Sequence, residues 1–91
     1  MKTNVKTTVR SLNTIAGEIY QNWNTRNSGT VLSPYAKPYL SAMSTLDSID
    51  DTYICEDGRE IVARFLSNAT SWRGDNARRI KKELNVMLKS R

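Results

Sequence analysis

With 91 residues, 38% hydrophobic, 25% charged and a formal net charge of +5, the chain has the length of one domain and an ordinary globular composition. A disordered or collagen-like chain is not supported, and no second domain is expected. No run approaches the roughly 18 apolar residues of a membrane span, and Met1 to Lys6 lead into no signal-peptide core, so the protein is expected to stay where it is made.

In chain order, Val5, Val9, Leu12, Ala16, Ile19 and Trp23 follow at steps of three and four, the stripe of a buried helix face, which predicts a first helix from about Asn4 to Trp23. Lys2, Lys6 and Arg10 recur on another side of it as a solvated basic edge. Asn24 to Thr30 has loop composition, with Gly29 supplying positive φ if the turn needs it, and Val31 and Leu32 are expected to tuck into the core. Pro38 suits a helix's first turn, so a second helix starts there and carries Tyr39, Leu40, Met43 and Leu46 inward, ending within Asp47 to Asp51. Tyr53 and Ile54 either prolong it or form a short extended link.

Asp57 with Glu60 reads as a capping box ahead of Ile61, Val62, Phe65, Leu66 and Ala69, which predicts a third helix. Ser71 or Asp75 opens a fourth, with Ala77, Ile80, Leu84, Met87 and Leu88 on one face and Arg78, Lys82 and Lys89 on another. The expected fold is all-α, a compact single-domain bundle of about four helices over residues 1–91, with Met43 and Trp72 buried in it.

Histidine is absent. That excludes Ser-His-Asp and Cys-His nucleophiles and the mixed Cys/His zinc sites, since one cysteine cannot supply the other ligands. The single cysteine, Cys55, has Glu56 and Asp57 beside it, which oppose a thiolate, so it reads as a semi-buried structural residue in a reducing cytoplasm. Gly17, Gly29, Gly58 and Gly74 are isolated and build no phosphate loop. Arg73-Gly74-Asp75 and Asn68-Ala69-Thr70 match export-dependent motifs by chance. The chain is expected to be no enzyme, and no cofactor or metal is expected.

Charge comes in three blocks. Residues 1–46 carry five Lys/Arg against Glu18 alone, residues 47–60 carry six acids against Arg59, and residues 61–91 carry eight bases against Asp75 and Glu83. Such blocks give a surface separate positive and negative faces and speak to partners rather than to fold. Two candidate binding faces follow. Asp47, Asp50, Asp51, Glu56 and Asp57 form the acidic one; as a cation site they lack EF-hand spacing, and a solvated acidic turn is the simpler reading. Arg73, Arg78, Arg79, Lys81, Lys82 and Lys89, with Arg91, form the basic one, able to meet successive phosphates of DNA or RNA. A helix-turn-helix would put Asn76, Arg78, Arg79 and Lys82 on base edges, provided the last helix starts near Ser71. Trp23, Tyr35, Tyr39 and Trp72 are stacking candidates for single strands, with packing in the core the favoured reading.

The segments Pro38-Tyr39-Leu40-Ser41-Ala42-Met43, Leu46-Asp47-Ser48-Ile49-Asp50-Asp51, Phe65-Leu66-Ser67-Asn68-Ala69 and Trp72-Arg73-Gly74-Asp75, with Arg79 to Leu84, resemble short, mostly uncharacterised proteins of bacterial phages and mobile elements. The resemblance implies a genetic setting in a bacterial cytoplasm rather than a site. In that setting a small non-enzymatic inhibitor of a host defence nucleoprotein, anti-CRISPR-like and directed at an RNA-guided nuclease, is the expected function. It would act by phosphate mimicry through the acidic face, or by gripping guide RNA or an acidic protein surface through the basic one. The other expectation is a DNA-binding accessory or regulatory protein that uses the C-terminal helix.

Overall fold

The computed structural model describes residues 10–89. Val5, Val9, Lys2, Lys6 and Arg91, part of the sequence expectations, lie outside that range. The first helix, α1, runs Leu12–Asn22 rather than from Asn4, because Ser11 caps it: its backbone is extended and its hydroxyl accepts from the Thr14 amide at 3.3 Å. Two of the open amides of the first turn find partners across the fold, Leu12 on the Asp47 carbonyl and Asn13 on the Leu46 carbonyl.

The expected loop after Trp23 contains a one-turn helix, α2 (Thr25–Ser28), capped by the Asn24 side chain and ended by Gly29 at φ 81°. Gly29 supplies the left-handed residue such an ending favours. Val31 was expected inside and is instead 72% exposed, while Leu32 packs against the core. Helix α3 (Lys37–Met43) begins one residue before Pro38 and stops short of Leu46, which is buried just past its end.

Next comes a feature that an all-α reading lacks. β1 (Thr52–Tyr53) and β2 (Glu56–Asp57) pair antiparallel, with Thr52 opposite Asp57 and Tyr53 opposite Glu56. The two residues between them form the turn, in which Ile54 has φ 57° and is 81% exposed. This is the extended alternative for Tyr53 and Ile54. Its period-2 signal is too short to read in the sequence.

Helix α4 (Gly58–Ser67) is capped by Asp57, whose carboxylate accepts from the Glu60 amide at 2.9 Å. Only that half of the expected capping box forms, because the Glu60 carboxylate turns to Arg64 instead. Helix α5 (Asp75–Lys89) takes the later of the two expected starts. The described residues are therefore mainly helical, with a small hairpin added.

One apolar cluster joins these elements. Trp23 and Trp72 stack with ring centroids 5.5 Å apart and 14° between planes, and Phe65 meets both edge-on at 6.3 Å. Ile15, Ile19, Leu40, Met43, Ile61, Ile80 and Leu84 close around them without exposure. Each indole N–H keeps a partner, Trp23 on the Thr30 hydroxyl and Trp72 on the Asn22 side-chain oxygen, both at 2.9 Å. Burial of both rings therefore leaves neither donor unsatisfied.

Candidate nucleic-acid interface

The two candidate faces differ in what the fold has already done with their charges. On the acidic side, Asp51 accepts from the amides of Asp47 and Ser48 at 2.9 and 3.1 Å, which ties the 47–51 turn. Asp47 accepts from the Asn13 side chain at 2.9 Å, and Asp50 sits 3.4 Å from the Arg59 guanidinium. Asp57 is the cap of α4, which leaves Glu56, exposed on β2. Asp47, Asp51 and Asp57 thus hold local structure, whereas the Asp50 side chain is 75% exposed in a loose pair. No group of acids, cysteine or histidine suited to a metal occurs among the described residues.

Asp47 and Asp50 border an open cleft of about 420 Å³, together with Arg10, Arg59, Ile49, Val86 and Met87. Both cations of its wall serve the fold. Arg59 donates to the carbonyls of Met87 and Leu88, closing the C-terminal end of α5. Arg10 was expected on a solvated edge and is instead the centre of a cross-fold network. It grips Glu83 with two nitrogens, at 2.7 and 3.0 Å, and Glu18 at 2.7 Å. The hydrogen bonds to Glu83 and Glu18 push the Arg10 pKa up, so this charge is permanent.

On the basic side, the fold divides the candidates in two. Arg79 reaches the second oxygen of Glu18 at 2.5 Å, and Lys81 donates to the Trp72 carbonyl at 2.6 Å while lying 5.8 Å from the centroid of the Trp72 ring. Burial, and then the neighbouring Arg73 charge, lower the Lys81 pKa. Arg73, Arg78, Lys82 and Lys89 remain exposed. Arg78, Lys82 and Lys89 fall at steps of four and seven, which places them on one line of the α5 surface, opposite Ile80 and Leu84. Arg78 has Asp75 at 3.4 Å in a pair that is almost fully solvated, so little holds it back from a partner.

A helix-turn-helix is not what presents this line. The connection from α4 to α5 spans residues 68–74, about twice the three or four residues that motif uses, and it buries Ala69 and Trp72 on the way. Base stacking is limited too. Trp23 and Trp72 are core, as the favoured reading held, and Tyr39 packs against it, whereas Tyr35 is 75% exposed. Cys55, expected half-buried, is exposed beside Ile54 at the hairpin tip. A two-residue turn has no inner face in which to bury a side chain.

No helix among the described residues is long and apolar enough to cross a membrane. Comparison with family models, with curated proteins and with solved structures gives no match to this chain.

Proposed function

We propose that the protein is a non-enzymatic binder whose working surface is the outer face of α5. Its partner is the nucleic-acid part of a host nucleoprotein, and the setting is a phage or mobile element acting in a bacterial cytoplasm, where binding inhibits an RNA-guided nuclease. The observation that carries the choice of surface is the exposed line of Arg78, Lys82 and Lys89, with Arg73 near its head, in a molecule whose acidic candidates are mostly engaged in its own turns. Phosphate mimicry by the acidic face is the weaker mechanism, because Asp47, Asp51 and Asp57 already accept hydrogen bonds that tie local turns, which leaves fewer of their lone pairs for a partner's Arg. A line of point charges without a recognition helix favours contact with backbone phosphates over base reading.

The purified protein, added to guided-nuclease cleavage reactions, is expected to slow cleavage at stoichiometric ratio. Four phosphate contacts to a single strand predict affinity falling about 50-fold between 50 and 200 mM salt. Arg78→Glu with Lys82→Glu should abolish both effects. Unchanged cleavage across the host's systems would sink the inhibitor reading. Tight, salt-sensitive binding to free duplex DNA in the same preparation would then favour the DNA-binding accessory protein.

A further inference from the structure

Beneath the exposed line, at the head of α5, lies a hollow of about 260 Å³ between the 68–74 connection and the first two turns of the helix. Trp72, Gly74 and Ala77 line it along with three cations, Arg73, Arg78 and Lys81. The one carboxylate of this stretch, Asp75, pairs with Arg78 only at 3.4 Å and is itself almost entirely in water. Lys81 is the unusual member. Its ammonium is half-buried and held by the Trp72 carbonyl at 2.6 Å, and an ammonium carries two further N–H donors. Burial and the charge of Arg73 both disfavour its protonated form. The opposite charge of an anion in the hollow would offset both, while Arg73 and Arg78 reach it from solvent.

We propose that this hollow takes one phosphate oxyanion, from a phosphodiester or a phosphate monoester, between Arg73, Arg78 and Lys81. The inference rests on the reading of α5 as a polyanion-binding face and deepens it, since it names the place where one phosphate is gripped rather than merely attracted. Lys82 and Lys89, further along, lie outside this hollow and add charge. Arginine suits the outer positions because its fork offers paired donors to phosphate oxygens.

The test is an amide-resolved NMR titration of the full chain with inorganic phosphate and, separately, with a 5′-phosphorylated hexanucleotide. The same titrations are run on Arg73→Gln with Arg78→Gln, and on Lys82→Gln with Lys89→Gln. All four positions are exposed, so both double variants keep the fold, and each removes two charges. Saturable shifts at Gly74, Ala77 and Lys81 are expected with both ligands. The first pair of substitutions should abolish the phosphate response and weaken the hexanucleotide at least 10-fold, against a few-fold for the second pair. Phosphate bound at the hollow with no hexanucleotide binding would uphold the site and remove the polynucleotide reading. Hexanucleotide bound with the hollow silent, or weakened equally by the two pairs, would overturn the site and leave α5 as a diffuse face. No saturation with either ligand would overturn the proposal.

Discussion

Gly58 opens α4 with its amide on the Asp51 carbonyl at 2.7 Å, and a Cβ built on it would lie 2.7 Å from the Ile49 carbonyl oxygen. The obstacle is backbone, and the hydrogen bond from Gly58 pins the two segments together. Alanine is favoured over glycine within helices by up to about 1 kcal/mol, so local propensity and packing point in opposite directions here. Overlap with main chain should win. Gly58→Ala is expected to destabilise by about 1–3 kcal/mol, read as a lower urea midpoint with an unchanged slope. The sequence shows only an isolated glycine at this place. Its meaning depends on Ile49, nine positions earlier, whose carbonyl reaches it through the tied 47–51 turn.

At the level of elements, α4 illustrates how a local signal can be half right. The Asp57 and Glu60 spacing marks the helix start correctly, and Asp57 does cap it. Glu60 instead bonds Arg64, one helical turn on, at 2.6 Å. Asp57→Ala should therefore cost about 1 kcal/mol, whereas Glu60→Ala should fall within about 0.5 kcal/mol of the parent, both by urea unfolding. A working capping box would make the two costs similar. The hairpin and α2 were not legible as elements for a related reason. Two-residue strands and a single helical turn are too short for a periodic pattern.

Across the whole molecule, Arg10, Glu18, Arg79 and Glu83 bind the start of α1 to α5 over as many as 73 positions of sequence. Hydrogen bonds from Arg10 and then Arg79 hold the Glu18 carboxyl below its ordinary value of 4.5. A depressed folded-state value means that the charged carboxylate stabilises the fold fully above that ordinary range, and that this contribution is lost as pH falls through the folded value. Glu18 and Arg10 are about one-third exposed and Arg79 about half, so screening keeps the effect to roughly 1 kcal/mol. Glu18→Gln is expected to lower stability by that amount at pH 7 and to flatten the decline in urea midpoint as the pH falls below the ordinary carboxylate value of 4.5. An equally steep acid limb in the variant would show that other carboxylates carry it.

What the sequence determined by itself is what depends on near neighbours or on composition. The stripes of the long helices, the cap at Asp57, the inward Trp72 and Met43, and the exclusion of histidine chemistry all follow from spacing or from residue type alone. The three charge blocks are equally plain, but a block says nothing of which charges stay free. Only the tertiary structure decided that, because a carboxylate's partner is chosen by distance in space: Arg10 finds Glu83, Asp47 finds Asn13, and Lys81 finds the carbonyl of Trp72. Those pairings commit Asp47, Asp51 and Asp57 to the turns around them and leave Arg78, Lys82 and Lys89 exposed along α5, the helix that the charge pattern had already made the stronger candidate.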